Sequence, residues 1–293
     1  RNDSRPGSIQ FTDVTATVAP MLEHIGLIAD AIWTDFNSDG WQDLVLAGEW
    51  MPLTFLQNVK GNFRDVTANT GLQQHKGWWN SIVSGDFDND GDVDYIAGNL
   101  GLNSFYKASE QYPVRMYAKD FDNNGSYDAV PSLYLPASME DKTRKEFVAH
   151  TRDDMIKQLI GFRKKYPQYK SYANATVDEM FSKEEMQDAL VVEANYFSHC
   201  FIENLGNGKF ACAPLPVPAQ WSCLNGMVVD DVNHDGNADI VINGNDYSTE
   251  VGVGRYDGCN GLLLMGKGDG TFQPVSITES GIFIPGNGKA LVK

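Results

Sequence analysis

The stretch "DFDNDGDVDYIAGN", residues 86 to 99, places five carboxylates within ten residues around a glycine and then enters an apolar run. So many acids in so short a segment repel one another unless a cation lies among them. Oxygen-bearing side chains at the first, third and fifth positions, followed by glycine, also begin an EF-hand loop. The segment therefore predicts a cation-binding loop that leads directly into a β-strand.

The same pattern occurs four times along the chain. Each copy obeys D-x-[DN]-x-[DN]-G-x-x-D, and the copies begin at Asp35, Asp86, Asp120 and Asp231. A short apolar or alternating segment precedes each copy, and a β-branched run ending in glycine follows the first, second and fourth. These features predict a repeated unit of strand, acidic loop and strand.

A second repeated element completes the unit. "FTDVT" at 11–15 resembles "FRDVT" at 63–67, and "NLGNGKF" at 204–210 and "GKGDGTF" at 266–272 are Gly-rich turns before a strand. Four short strands per unit predict an all-β fold, a β-propeller of four-stranded blades with four acidic-loop blades. We expect residues 1–293 to form a single propeller domain or part of one, so either the two ends share a closing blade or the propeller is larger.

Residues 150–192 interrupt the strand pattern with helical periodicity. Three pairs there have the spacing of helix N-terminal caps: Thr151 with Asp154, Thr176 with Glu179, and Ser182 with Glu185. We expect an insertion of two or three helices whose apolar faces pack on the propeller edge. A role in binding a partner is the alternative.

The ligands of the four loops follow from their positions. Positions 1, 3, 5 and 9 would bind through side chains, with Asp at position 9 in place of the EF-hand glutamate at position 12. These residues are Asp35, Asn37, Asp39 and Asp43; Asp86, Asp88, Asp90 and Asp94; Asp120, Asp122, Asn124 and Asp128; and Asp231, Asn233, Asp235 and Asp239. Position 7 would bind through its backbone carbonyl, in Trp41, Asp92, Ser126 and Asn237.

Oxygen ligands without His or Cys favour Ca²⁺ over zinc, and about four ions are expected. The alternative is that the loops are Asx-turns, in which Asp and Asn bond their own backbone. An Asx-turn does not require a carboxylate at position 9, so the fourfold recurrence favours calcium. We expect the ions to stabilise the fold rather than to act as a switch.

Composition excludes some partners. The formal net charge of -16 among 293 residues argues against nucleic acid, whose binding requires Lys and Arg. No apolar run reaches the roughly 18 to 20 residues of a membrane span. The chain begins at Arg1 without a visible signal peptide, and we expect a monomer whose export signal is not present in this sequence.

The four cysteines leave two possibilities open. Cys200 and Cys212 lie equally far from Gly206 in the "NLGNG" turn, so they either form a disulfide or are small buried side chains. Cys223 and Cys259 have no such spacing.

Several motifs together resemble a known family. "FRDVTANTGL", "GDFDNDGDVDYIAGNLG", "RDDMIKQL" and "GRYDGCNGLLLMGKGDGTF" are similar to FG-GAP/VCBS repeats of integrin-α-type propellers, and to bacterial VCBS-repeat proteins of the cartilage-acidic-protein (ASPIC) type, particularly those of Bacteroidetes. The resemblance implies a secreted or cell-surface protein. It also implies binding of proteins or glycans through loops on a propeller face.

No nucleophile, zinc-protease, P-loop or dinucleotide motif is present in the sequence. We therefore expect a non-catalytic protein that binds a protein or polysaccharide outside the cell. Two alternatives stay open: a polysaccharide-degrading, lyase-like enzyme that uses Lys119, Lys157 or Arg255 beside a cation, and a structural spacer.

The tryptophans have two interpretations. They could stack on sugar rings at the mouth of the propeller, but we expect most of them to lie in the core between blades. They are Trp33, Trp41, Trp50, Trp78, Trp79 and Trp221. Two charged clusters, Arg152 to Asp154 and Arg255 to Asp257, are expected to be salt-bridged scaffold rather than ligand sites.

Overall fold

The computed structural model of the chain describes residues 1–250 and 252–293, and these are mostly β. Their strands form four antiparallel sheets. In chain order the strands are β1 (Leu27–Thr34), β2 (Asp43–Met51), β3 (Thr54–Val59), β4 (Asn62–Asp65), β5 (Gly77–Trp78), β6 (Ser81–Gly85), β7 (Asp94–Gly98), β8 (Val114–Lys119), β9 (Asp128–Pro136), β10 (Arg144–Val148), β11 (Leu190–Ala194), β12 (Cys200–Asn204), β13 (Phe210–Pro214), β14 (Leu224–Asp230), β15 (Asp239–Gly244), β16 (Leu262–Gly266) and β17 (Phe272–Val275).

The helices are short and mostly follow the last strand of a sheet or lie between β10 and β11. They are α1 (Thr15–Val18), α2 (Thr67–Thr70), α3 (Arg152–Gln158), α4 (Phe162–Lys165), α5 (Tyr169–Ala173), α6 (Val177–Met180), α7 (Lys183–Met186) and α8 (Ile277–Ser280), with 3₁₀ turns at Pro20–His24 and Val217–Trp221. None of the helices in the described ranges is long and apolar enough to cross a bilayer.

Three of the sheets have one strand order. The first is β1-β2-β3-β4, with β5 paired to β2; the second is β6-β7-β12-β13; and the fourth is β14-β15-β16-β17. In each, the strand before the acidic loop lies at one edge of the sheet, and the later strands follow one after another toward the opposite edge. This is the arrangement that the repeated unit predicts.

These three sheets pack side by side through their edge strands and aromatic side chains. Strand β1 contacts β6, and β6 contacts β14. Phe36 of the first acidic loop packs on Phe210 of the second sheet, with 6.1 Å between ring centroids, and Phe87 of the second loop packs on Phe272 of the fourth sheet at 5.7 Å. In the first and second acidic loops, the second residue thus fills the interface with the next sheet.

The C-terminal segment runs along β14 without forming a strand. Asn225 Nδ2 donates to Gly288 O at 2.9 Å, and Lys293 forms an ion pair with Asp230 at 2.8 Å. The segment therefore flanks β14, although no closed ring of sheets is detected in the described residues.

The third sheet departs from the predicted order. Its strands are arranged β10-β9-β8-β11, and the whole sheet lies in the chain between β7 and β12 of the second sheet. Each of the four sheets contains one predicted acidic loop, but the third sheet does not share the strand order of the other three. The reason is that β11, which follows the helices, pairs with the free edge of β8 and moves the β8–β9 hairpin to the middle of the sheet.

The segment predicted to be helical contains five short helices, α3 to α7, rather than two or three. All three predicted caps are present: the Thr151 side chain accepts the Asp154 amide, and capping boxes join Thr176 to Glu179 and Ser182 to Glu185. The apolar faces of the helices form a core with Val130 of β9. The helices thus cover the third sheet.

The β12–β13 hairpin forms as predicted, but its register is shifted by two residues from the symmetric expectation. Cys200 lies opposite Pro214, and Cys212 lies opposite Ile202. Both cysteines are thiols, with the Tyr196 hydroxyl oxygen 3.0 Å from Cys200 Sγ and 3.4 Å from Cys212 Sγ. The offset explains why the two sulfurs are not directly opposed as a cross-strand disulfide would require.

Candidate metal sites in the acidic loops

The four acidic loops share one backbone conformation. The fourth residue of each has a left-handed φ between 57° and 63°, in Ser38, Asn89, Asn123 and His234. The glycine at position 6 has φ between 85° and 91°, in Gly40, Gly91, Gly125 and Gly236, which side-chain-bearing residues rarely adopt. The glycine is therefore a conformational requirement of the loop, whatever binds in it.

The side-chain oxygens of positions 1 and 5 point back into the loop. The carboxylate at position 1 accepts the amide of the position 6 glycine at 2.8 to 3.2 Å in all four copies. The side chain at position 5 accepts the amide of position 7 at 2.8 to 3.0 Å. These are the Asx-turns of the alternative interpretation. They do not exclude an ion, because each carboxylate keeps lone pairs for a second partner.

The aspartate at position 9 begins the strand after each loop and is buried in all four copies, at Asp43, Asp94, Asp128 and Asp239. Asp94 Oδ2 accepts the Phe87 amide at 3.2 Å, and its Oδ1 accepts the Asn204 amide of β12 at 2.8 Å. Asp239 bonds two amides in the same way, whereas Asp128 bonds only that of Phe121 at 3.0 Å. In the first, second and fourth loops, position 9 thus joins its loop to a neighbouring strand, a role that sequence reasoning missed.

Two loops bring their carboxylates together. One oxygen each from Asp86, Asp88 and Asp94 lies within 4.8 Å of the others, and so do oxygens from Asp120, Asp122 and Asp128. In the first and fourth loops, where Asn37 and Asn233 replace the aspartate at position 3, the described residues form no such triple. In the fourth loop Asn233 Nδ2 instead donates to Asp235 Oδ2 at 2.8 Å.

Burial and mutual repulsion destabilise the ionised carboxylates in the second loop. Burial raises the pKa of Asp94 to about 7, with the charges of Asp88 and Asp92 adding to the effect. Burial, and next the charge of Asp90, raise the pKa of Asp92 to about 6. A bound cation would reverse both shifts, because it favours the ionised form.

The first loop has its own uncompensated oxygen. Asp43 is fully buried, its Oδ1 accepts the Asn58 amide at 2.7 Å, and its Oδ2 makes no well-formed hydrogen bond in the described residues. Burial raises its pKa to about 6. A buried carboxylate oxygen without a donor is costly unless a cation lies beside it. The candidate metal ligands of all four loops are oxygen atoms only, which fits a hard cation such as Ca²⁺.

The second and fourth loops lie next to each other. Asn89 Nδ2 donates to Asn237 Oδ1 at 2.9 Å. His234 is exposed, as expected for position 4 of its loop. At position 7, the Trp41 and Ser126 side chains are exposed and Asp92 is half-buried. A metal contact through the backbone carbonyl of position 7 would not constrain the type of side chain there.

The tryptophans are less buried than predicted. Trp79 is 1 % exposed and packs in the core, and Trp50 and Trp78 are half-buried. The expectation of core packing is wrong for Trp33, Trp41 and Trp221, which are 60 %, 46 % and 51 % exposed. Trp33 lies on β1, a strand at the edge of its sheet, whereas Trp41 lies in the first acidic loop and Trp221 ends the 3₁₀ turn Val217–Trp221. None of these three places is enclosed between two sheets.

The basic residues considered for lyase chemistry have separate local partners. Lys119 Nζ donates to the carbonyls of Glu185 and Gln187 at 2.9 and 2.6 Å, and Lys157 pairs with Asp154 at 2.7 Å. Arg255 lies over the Tyr247 ring at 5.0 Å. These contacts assign each of the three a local role.

Of the two charged clusters, the first is scaffold. Arg152 pairs with Asp153 at 3.2 Å and donates from Nε to Tyr166 O at 2.6 Å. In the second cluster, Tyr256 is buried while Arg255 and Asp257 are exposed, and no ion pair joins the two charges among the described residues. The expectation of a salt bridge is wrong there.

Comparison with known proteins gives one family match. Residues 35–97, which contain the first two acidic loops and the strands between them, match the model of the FG-GAP-like repeat. No curated protein matches the chain.

Proposed function

We propose that the chain is a calcium-stabilised β-propeller, or part of one, that acts at the cell surface or outside the cell by binding a protein or glycan without catalysis. The observation that carries the calcium assignment is the convergence of Asp86, Asp88 and Asp94, three carboxylates within 4.8 Å whose charges oppose one another. The same loop conformation recurs three more times, which extends the proposal to about four ions.

The propeller form is supported by the packing of like sheets. Strands β1, β6 and β14 follow one another in space, and Phe36 and Phe87, the second residues of the first two acidic loops, pack on the next sheet. The FG-GAP-like match at 35–97 agrees with this arrangement. As part of the proposal, residues 1–293 form one propeller domain or part of one. The chain is also proposed to be a VCBS-repeat protein of the cartilage-acidic-protein type, similar to those of Bacteroidetes.

The proposed calcium requirement would fit an extracellular location. Extracellular calcium modules typically bind with Kd values of about 10⁻⁴ to 10⁻³ M, which match the supply outside cells. Binding is preferred over a lyase because Lys119, Lys157 and Arg255 each have a local partner instead of a shared site beside an acidic loop.

The test is a thermal melt in EDTA and again after calcium is restored, with the metal counted per chain. We expect about four Ca²⁺ per chain and a lower melting temperature in EDTA, because each ion stabilises by about 2.7 kcal/mol at a hundredfold excess over its Kd. Asp86→Asn should lower the count by about one, since it removes the position 1 carboxylate that all four loops share. Asp178→Asn, on α6, is the matched control. The absence of bound metal and of any EDTA effect would reduce the loops to Asx-turns.

A further inference from the structure

A cleft of about 540 Å³ lies at the ends of the strands that start at the acidic loops. Strand β2 begins at Asp43 and reaches the cleft at Glu49 and Trp50, and β15 begins at Asp239 and reaches it just before Asp246. The cleft is therefore on the opposite side of the molecule from the acidic loops. It is a site separate from the candidate metal centres.

The walls of the cleft are aromatic. The rings of Trp50 and Trp78 lie 4.9 Å apart at 64°, and Tyr106 packs on Trp78 at 5.1 Å. Tyr256 also lines the cleft, is 9 % exposed, and its hydroxyl makes no well-formed hydrogen bond among the described residues. Aromatic rings of this kind bind the apolar stem of a ligand and attract a cation to their faces.

The charges in the cleft are mainly negative. Glu49, Asp246 and Glu250 line it, and Lys289 is the one basic residue among its described lining. Asp246 pairs with Lys289 at 3.4 Å and Glu250 pairs with His150 at 2.9 Å. Glu49 has no ion-pair partner in residues 1–250 and 252–293.

The chain itself shows what the cleft accepts. Lys289, from the C-terminal segment, places its ammonium between Asp246 Oδ1 and the Asn245 carbonyl, 3.3 Å from the latter. One cationic nitrogen is thus already accommodated at the rim of the cleft. Lys289 does not neutralise the Glu49 carboxylate. This carboxylate and the Trp50 and Trp78 rings are the part of the cleft that is left for a ligand.

We propose that this cleft binds a ligand with a primary ammonium or guanidinium group on an apolar chain, the charged group against Glu49 and the stem against Trp50 and Trp78. The source of that group is either a Lys or Arg side chain of a partner protein or a free alkylamine. This inference rests on the proposed binding function, to which it adds the chemical class of the ligand. It does not depend on calcium.

The test is titration of the full chain with N-acetyl-lysinamide, N-acetyl-argininamide and n-butylammonium, followed by isothermal calorimetry and tryptophan fluorescence in calcium. N-acetyl-norleucinamide is the neutral matched probe. We expect the cationic probes to bind at least about tenfold more tightly than the neutral one, because a charge-assisted contact is lost with the nitrogen. Preference for the amides over n-butylammonium identifies a protein side chain as the source, and the reverse identifies a free amine.

Two variants should move the affinity in opposite directions. Glu49→Gln should weaken the cationic probes about tenfold, and Lys289→Gln should strengthen them several-fold, because it removes the competing internal ammonium. Glu184→Gln, on the exposed helix α7, is the control for lost negative charge. Equal binding of the lysine and norleucine probes, or an unchanged affinity in both variants, would overturn the inference. Repeating the titration at an EDTA concentration that leaves the protein folded separates this result from failure of the calcium proposal.

Discussion

The acidic loop between β6 and β7 and the one between β8 and β9 have closely similar sequences but different surroundings. In the first, Asp94 bonds the amides of Phe87 and Asn204, the latter from β12 on the far side of β7. In the second, Asp128 bonds only the Phe121 amide. The strand beside β9 on that side, β10, pairs only from Ser132 onward and does not reach Asp128.

The same contrast holds for the second residue of each loop. Phe87 is 2 % exposed between Phe201 and Phe272 of two sheets, whereas the half-buried Phe121 packs on Phe181 after α6. The conformation of the acidic loop is thus local and occurs in both hairpins. Among the described residues, only the first of these two hairpins, β6–β7, has contacts from its loop to a second sheet, because it packs beside the fourth sheet.

The largest expected difference is in aromatic packing. Phe87→Ala should lower the free energy of unfolding by about 4 kcal/mol, because it opens a cavity between two sheets. Phe121→Ala should cost about half as much, since that ring is only half-buried. Urea unfolding of both variants in saturating calcium makes the comparison, and equal losses would contradict it.

The loss of the position 9 carboxylate should rank next. Asp94→Ala should cost about 3 to 4 kcal/mol because two buried amides lose their acceptor, and Asp128→Ala about half as much because one does. Urea unfolding in EDTA measures both, so that the loss of a proposed calcium ligand does not add to either cost. If Asp128→Ala proved as damaging as Asp94→Ala, the amide contact with Asn204 would not explain the difference between the loops.

A pH effect should be specific to the interface of the second and fourth sheets. His199 is fully buried; its Nδ1 accepts the Asn99 amide at 2.7 Å, and its Nε2 donates to Ser222 O at 2.8 Å. Burial lowers its pKa to about 4, below the unfolded value of about 6.5. Its contribution to stability is therefore present above pH 6.5 and is lost as the pH falls toward 4, by about 3 kcal/mol in total.

The measurement is the pH dependence of urea unfolding between pH 7 and pH 4 for the wild type and His199→Gln. The variant keeps an acceptor and a donor but does not titrate, so its slope should be smaller than that of the wild type. His234→Gln, in the exposed position of the fourth loop, should leave the slope unchanged. Identical slopes for all three proteins would show that folding does not shift the pKa of His199.

The smallest expected effect is at the contact between the helices and the third loop. Gln158 Oε1 accepts the Ala129 amide at 2.9 Å, next to Asp128. Gln158→Ala should cost about 1 kcal/mol, with the exposed Gln187→Ala as control. Amide exchange at Ala129 should increase in the variant; unchanged protection would mean that the contact does not hold the loop.

Much of the local structure could be predicted from residue patterns. The apolar or alternating segments before the first, third and fourth acidic loops, "LIADAIWT", "VRMYAK" and "LNGMVVD", are β1, β8 and β14 residue for residue. The three helix caps are where Thr and Ser precede an acid by three positions. The candidate metal ligands of each loop could be proposed from the motif. The hydrogen bond between Asp94 and Asn204 of β12 could not be predicted, because 110 residues of chain separate the two.

The sequence by itself determined the four loop conformations and the hairpins around them, because the position 6 glycine and the Asp and Asn side chains act within nine residues of chain. Only the tertiary structure decided which loops join a stack of like sheets. It also decided that the third sheet inserts between β7 and β12, and that Glu49 and Asp246 meet in one cleft. Those outcomes depend on burial between distant segments, whose free energy comes from contacts that no local pattern specifies.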